Sequence, residues 1–207
     1  MRRKVFDLIV STGGMLMVVV LLAAGALLMW AYSFTQSTVH DQLAQQQIYF
    51  PTAAQIQSAP ASSTEIPPSA KPYLLPYAGQ EVLTGPQAET YANHYIGVHL
   101  SAMPYGGVYS KVSTASRANP KDTALSAEVQ TSFQGTTLRA MLLEAYGFWT
   151  FGEIAFWAAI VSFIGAFVMA VLVGFGFWHA RRTPAEAELL AARTEPPKPQ
   201  AGRPQTA

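Results

Sequence analysis

The sequence predicts an all-α membrane protein: two transmembrane helices in an antiparallel pair, with a small helical extracytoplasmic domain between them. Apolar residues make up 50% of the 207 residues and charged residues only 12%, and the apolar residues are concentrated in two blocks near the ends. Basic clusters, Arg2 to Lys4 and Arg181 with Arg182, flank these blocks. No alternation of period two is long enough to indicate a strand. The uneven distribution excludes a single soluble globule.

The first block runs from Leu8 to Phe34 without a charged residue. As a helix it would rise about 40 Å, more than the ~30 Å hydrocarbon core of a bilayer. A cleaved signal peptide is the alternative, but its apolar core is typically ~7–15 residues, and this run continues through Trp30. We therefore predict an uncleaved anchor over residues 8–34, preceded by a cytoplasmic segment, 1–7, and prolonged by a helical extension over residues 35–50.

The second block, Ala155 to Phe177, is also uncharged and predicts a transmembrane helix over residues 155–178. Positively charged flanks remain in the cytoplasm, so both termini are expected there, with the middle of the chain outside a plasma membrane. Aromatic residues gather at the headgroup level. The expected interface anchors are Trp30, Tyr32, Trp149 and Trp178.

Proline and serine dominate residues 51–76, and this composition predicts an irregular linker. Residues 77–137 are predicted to form the extracytoplasmic helical domain. Its three expected helices run from a Thr84 cap to Ala102, from about Val108 to Ala118, and from Asp122 or Thr123 to Phe133 before Gly135. A helical lead-in, 138–154, then precedes the second span, and the cytoplasmic segment 179–207 is expected to be mostly disordered after a short helix.

The outer domain is too small to bury a large core of its own. The chain has no cysteine, so disulfides cannot compensate for the small core. The outer helices are therefore expected to pack on the extensions of the two membrane helices or on another protein.

No pattern in the chain indicates catalysis, a cofactor or a metal. His94 and His99 are five residues apart, which separates them by about 140° on a helix instead of placing them on one face. Gly106-Gly107 is not followed by the Lys-Ser/Thr of a phosphate loop, and no Gly-x-Ser-x-Gly element occurs. Nucleic-acid binding is not expected either, because the basic residues of the outer region are scattered. They are Lys111, Arg117 and Lys121. We predict that the protein is not an enzyme.

Two features of the second block are candidate sites. Glu153 immediately precedes the apolar run and is expected at the outer interface, hydrated or paired with Arg139 or another subunit; an ion or proton role is the alternative. Every fourth residue of the span is small, which allows close helix packing. These residues are Ala158, Ser162, Ala166, Ala170 and Gly174. Their predicted partner is the face of the first span with Gly14, Val18, Leu22 and Ala26, or a second protein.

Several strings carry a resemblance to a known family. They are Met1-Arg2-Arg3-Lys4, Ser37-Thr38-Val39-His40, the run from Gln42 to Pro51, Tyr77-Ala78-Gly79-Gln80 and Gly176-Phe177-Trp178-His179. With them the chain resembles an uncharacterised actinobacterial family of two-span membrane proteins. Some members bear the label of an aromatic ring-opening dioxygenase, an activity that would need two histidines and a carboxylate around iron. The histidine spacing does not support that label here.

These features predict a non-enzymatic protein of the cell envelope that lies in the lipid bilayer. It would serve as an accessory or scaffolding subunit that binds other membrane proteins or itself. The alternative is an extracytoplasmic sensor or small-ligand-binding module, because four tyrosines could line an apolar pocket. They are Tyr91, Tyr95, Tyr105 and Tyr109.

Overall fold

The computed structural model describes residues 3–182 and 184, and this part of the chain is helical, with two long apolar helices. Helix α1 spans Arg3–Ala44 and helix α7 spans Thr123–Arg182. Shorter elements connect them: α2 (Ala53–Ser58), α3 (Lys71–Leu74), a 3-10 turn (Leu75–Tyr77), α4 (Gly85–Tyr91), a π-helix (Ala92–Ile96), α5 (Gly97–Ala102), a second 3-10 turn (Pro104–Gly107) and α6 (Tyr109–Ala118). The predicted all-α class is confirmed. The predicted C-terminal tail lies almost entirely outside the described residues.

Both long helices are long and apolar enough to cross a membrane. In the most apolar 18-residue stretch of each helix, only 11% of the residues in α1 and 17% in α7 are buried within the protein. A core helix of a soluble protein, in contrast, is apolar because it is buried. Large side chains instead face outward: Leu16 is 67% and Phe167 71% exposed. This exposure suits a hydrocarbon surrounding better than water.

The chain divides into two compact units. Among the described residues, the first contains residues 3–25 of α1 and residues 160–182 of α7. The second contains residues 26–159, and it holds the connecting elements together with the remaining parts of α1 and α7.

The hydrophobic core of the second unit is shared between the long helices and the connecting region. Val39 and Leu43 of α1 and Leu142 of α7 belong to it. The connecting region contributes Phe50, Ile56, Ile66, Ala70, Leu74, Val82, Ala88, Ala92 and Ile96. The connecting elements thus pack on the parts of α1 and α7 that belong to this unit.

Residues 51–76 differ from the irregular linker that their composition predicts. Thr52 and Gln55 form a reciprocal capping box that starts α2, and α3 has a proline in its first turn, where no backbone N–H is required. Ile56 and Leu74 are both 0% exposed. Thr52 and the proline of α3 therefore start helices, and buried residues of the segment belong to the core.

The extension of the first helix is shorter than the predicted range of 35–50. Helix α1 ends at Ala44, and Gln47 has a φ of 51°, a left-handed conformation that turns the chain. Tyr49 then pairs with Glu81 in an isolated antiparallel bridge. The N–H of Phe50 donates to Gln80 and the N–H of Val82 donates to Ile48, so backbone groups beside the core are paired.

The predicted helix end before Gly135 is absent, because α7 continues without a break from Thr123 to Arg182. A Cβ atom at Gly135 would lie 2.8 Å from Cδ2 of Leu100. The glycine therefore permits close packing of α5 on α7 and does not end the helix.

Candidate functional site

A cavity of about 570 Å³ opens on the second unit, between α5, the turn at Pro104–Gly107, the start of α6 and α7. Its walls are partly apolar, with Leu100 and Val108 among them. The polar residues that line it are Asn93, Ser101, Tyr109, Ser110, Thr136 and Arg139. Arg139 is the single charged residue in this lining.

The π-helix positions Arg139 at the cavity wall. The carbonyl oxygen of Ala92 accepts a bond from the N–H of Gly97, five residues later, and also from Nε of Arg139 at 3.2 Å. A Cβ atom at Gly97 would lie 3.4 Å from that Nε and 3.1 Å from the Ala92 oxygen. Glycine at this position therefore avoids a tight contact with the carbonyl oxygen that accepts both bonds. A π-helix is an element that often marks functional sites.

Arg139 reaches a carboxylate only through an amide. Its Nη2 donates to Oδ1 of Asn93 at 2.7 Å, and Nδ2 of Asn93 donates to Oε1 of Glu89 at 2.6 Å. Within residues 3–182 no Asp or Glu forms an ion pair with this guanidinium. The arrangement fixes the orientation of the guanidinium but leaves its charge without a direct counter-ion.

The loop below the cavity is held to α7 by a buried hydrogen bond. Ser132 is 0% exposed, and its hydroxyl donates to the carbonyl of Gly107 at 2.7 Å. Gly107 has a φ of +63°, and a Cβ atom there would collide with the backbone of Leu100. Only glycine fits this turn without strain, and the hydrogen bond from Ser132 ties the turn to α7.

The four tyrosines of the predicted apolar pocket do not converge. Tyr91 and Tyr95 pack against each other with ring centroids 4.8 Å apart, and Tyr91 meets the ring of Phe50 edge-on at 5.3 Å. Tyr105 and Tyr109 are 55% and 42% exposed, respectively. Two of the rings belong to the margin of the core and two to the surface, so this prediction is wrong.

Burial changes the acidity of the two packed tyrosines. It raises the pKa of Tyr91 from 10.0 to about 12, with a further contribution from Tyr95. It also raises the pKa of Tyr95, with a contribution from Glu65. Burial is the largest cause of both shifts, as expected for side chains that pack against the core.

The histidines of the π-helix region are engaged with aromatic and backbone partners. His94 stacks on Tyr73 with centroids 3.6 Å apart. Nδ1 of His99 lies 2.7 Å from the carbonyl oxygen of Tyr95. No group of three potential metal ligands occurs among the residues that the structure describes.

Glu153 has a partner other than the predicted Arg139. Its Oε1 accepts a hydrogen bond from Nε2 of Gln36 at 3.2 Å, and the adjacent Gly152 packs against Thr35. Arg139 was one of the partners predicted for Glu153, because it carries the opposite charge. Arg139 lies fourteen positions earlier on the same helix, about 21 Å away along its axis.

Close contacts of small residues join α1 and α7 in the first unit. An added Cβ would lie 2.6 Å from Cγ2 of Val173 at Gly14, and 2.8 Å from the ring of Phe163 at Gly25. One at Gly176 would lie 2.5 Å from the hydroxyl of Ser11. The two backbones approach closely because these positions lack side chains.

From Gly152 onward the buried residues of α7 recur every seven positions, so only part of the predicted stripe of small residues is buried. They are Gly152, Ala159, Ala166, Val173 and Ala180. An interval of four residues advances 400° and drifts around the helix, whereas an interval of seven follows a partner helix. Of the stripe, Ala166 is buried, Ala158 and Ser162 are half-buried, and Ala170 and Gly174 are exposed.

The residues predicted on the corresponding face of α1 also differ in burial. Val18 is buried and Gly14 half-buried, but Leu22 and Ala26 are exposed. The intramolecular seam predicted at Leu22, Ala26, Ala170 and Gly174 is therefore wrong. A contact of Ala170 and Gly174 with a second protein stays a prediction.

The four predicted interface anchors have different surroundings. Trp30 is 65% exposed and stacks on Phe34. Trp178 is 53% exposed, with the guanidinium of Arg182 4.2 Å from its ring centroid. Tyr32 packs on Phe156. Trp149 packs against Gly85 at the margin of the core, so its ring serves the packing of α4 on α7.

Comparison of the chain with protein-family models, with curated proteins and with solved structures finds no match.

The cavity around Arg139 is the feature that the sequence alone did not indicate. A lone arginine in the otherwise apolar stripe of Leu138, Met141 and Leu142 was the available signal.

Proposed function

We propose that the protein is a non-enzymatic integral membrane protein of the cell envelope that acts as an accessory or scaffolding subunit for other membrane proteins. In this proposal both termini lie in the cytoplasm and the connecting elements lie outside the plasma membrane. The exposed apolar faces of α1 and α7 support insertion in the bilayer.

Contacts within each unit support an antiparallel pair. In the first unit, Gly14 meets Val173 and Gly25 meets Phe163, so residue numbers rise along one helix as they fall along the other. In the second unit, the hydrogen bond between Gln36 and Glu153 has the register expected of the same arrangement. Basic residues before α1 and at the end of α7 favour a shared cytoplasmic side.

The observation that carries the scaffolding role is an unfilled groove on α7. A space of about 420 Å³ is lined by Val171, Gly174, Phe175 and Trp178. An added Cβ at Gly174 would meet nothing within 4 Å, and Ala170 one turn earlier is also exposed. Small residues four apart let a second helix backbone approach closely within lipid. The proposed occupant is a transmembrane helix of another membrane protein.

Substitution within the groove tests this proposal. Full-length protein with Gly174→Leu should lose most of the membrane proteins that crosslink to wild-type protein in cells, because a leucine fills the space that the partner helix needs. Val161→Leu is the matched control, since Val161 is 69% exposed on the same helix and does not line the groove. Identical crosslinked partners for wild-type protein and Gly174→Leu, or isolation of wild-type protein as a lone monomer in mild detergent, would contradict the proposal.

A ligand-binding role is the second candidate, and the cavity around Arg139 favours it. The tyrosine cluster does not support this role, because its members do not share a pocket.

A further inference from the structure

We propose that the cavity of the second unit binds a phosphate-bearing small molecule and that Arg139 is its anchoring cation. The cavity volume of about 570 Å³ lies within the range of about 300–1,000 Å³ that is usual for small-molecule sites. It is larger than a free phosphate ion needs, so the ligand is an organic phosphate with a small polar or apolar remainder.

The guanidinium has donor capacity left for such a ligand. Nε and Nη2 donate to Ala92 and Asn93, while Nη1 has no hydrogen-bond partner among residues 3–182. An arginine is charged at every physiological pH, and a partly buried cation without a direct counter-ion favours an incoming anion. The bonds to Ala92 and Asn93 hold the planar group in place before a ligand arrives, which lowers the entropic cost of binding.

Hydroxyl groups on two other elements supply further donors. Thr136 lies almost one helical turn before Arg139 on α7, and Ser110 lies in the first turn of α6; both line the cavity. Neither hydroxyl forms a hydrogen bond within the described part of the chain. The start of α6 has no side-chain cap, so its first backbone N–H groups add to this set.

The donor set suits phosphate better than carboxylate. A phosphate group presents several oxygens in different directions, and it can accept from a guanidinium, two hydroxyls and backbone amides together. A carboxylate has two oxygens in one plane and would leave some of these donors unpaired. No acidic side chain lines the cavity to repel either anion.

The position along α7 favours a soluble ligand over a lipid headgroup. Arg139 precedes Glu153 by fourteen residues in the same helix, a rise of about 21 Å. This choice of source rests on the proposed function, which places Glu153 at the outer surface of the bilayer. The anion site itself does not depend on that topology.

Titration calorimetry on the full chain in nanodiscs of zwitterionic lipid tests the site. Glycerol 3-phosphate should bind at micromolar to millimolar concentration, whereas glycerol should not. Arg139→Lys keeps the positive charge but removes the planar guanidinium with its several N–H donors, and it should weaken binding by at least about tenfold. Thr136→Val removes one exposed hydroxyl without disturbing the core and should weaken binding about threefold to tenfold. Arg117→Gln is the matched control, because Arg117 is exposed on α6 outside the cavity and its loss should leave the affinity unchanged.

Three results would overturn the inference. The first is no measurable binding of glycerol 3-phosphate to correctly folded wild-type protein. The second is equal affinity of wild-type protein, Arg139→Lys and Thr136→Val. The third is binding of acetate as tightly as glycerol 3-phosphate, which would remove the preference for phosphate. If the protein bound short-chain phosphatidic acid but did not bind glycerol 3-phosphate, the ligand would be a lipid headgroup and not a soluble molecule. Because these readouts do not depend on protein partners, they are independent of the crosslinking test of the scaffolding role.

Discussion

Replacement of Ile56 by alanine is a direct test of whether residues 51–76 belong to the folded core. The side chain is 0% exposed and lies in the core of the second unit, although it comes from a segment whose composition predicts a linker. The substitution removes three carbon atoms. At about 0.8 kcal/mol for each buried methylene, the loss of transfer free energy is about 2.4 kcal/mol, and the cavity left behind extends the expected range to about 2–5 kcal/mol.

Hydrogen–deuterium exchange of the full chain in nanodiscs measures this loss. Core amides of α3 and α4 exchange when the second unit opens, and 2.4 kcal/mol corresponds to an opening equilibrium increased about 60-fold. Gln57→Ala is the matched control, because Gln57 is the exposed neighbour on the same helix and surface substitutions change stability by about 0.5 kcal/mol or less. If Ile56→Ala left these exchange rates within twofold of those of Gln57→Ala, the segment would be a linker and the described core would be incorrect.

Three further predictions concern the helix pair, the tyrosine cluster and the topology. Gly25→Leu should lower the thermal midpoint in detergent and the expression level, because its side chain would collide with Phe163; Gly13→Leu, where an added Cβ meets nothing within 4 Å, should change neither. Because folding raises the pKa of Tyr91 from 10.0 to about 12, the unfolded chain loses this proton first as pH rises, so the free energy of unfolding should fall across that window. Tyr91→Phe should reduce the slope in thermal unfolding at alkaline pH, and an unchanged slope would contradict the assignment. Ser110→Cys introduces a unique thiol into a chain without cysteine, and an impermeant maleimide should label it in intact cells; labelling only after lysis would place the connecting region in the cytoplasm.

Some helix starts and ends could be read from the sequence because their causes are local. Thr84 accepts from the backbone of Gln87 in a capping box and starts α4, and Asn119 follows the last residue of α6. A cap or a breaker acts within one turn of the helix. The same local signals were misread at residues 51–76, because a serine, threonine or proline that starts a short helix looks like one in a linker until a buried partner is known.

The two long apolar helices are a property of the sequence, and the contact between them is a property of the tertiary structure. Uncharged runs such as Leu8 to Phe34 determine where a helix is long and apolar enough to span a bilayer. Every residue of such a run suits an apolar surrounding, and this property does not depend on a packing partner. Which face of α7 meets α1 depends on how one helix winds along the other. That winding selects an interval of seven residues, which buries Ala166 and exposes Gly174.

The cavity around Arg139 likewise arose only from folding. Its lining combines α7, α6 and the π-helix, and the π-helix is a change in hydrogen-bond register that no residue type in the segment specifies. The sequence by itself established the composition of the chain, its two apolar segments and several local helix boundaries, since these depend on neighbours along the chain. The tertiary structure decided which side chains became partners, since distances between residues far apart in sequence are set by packing.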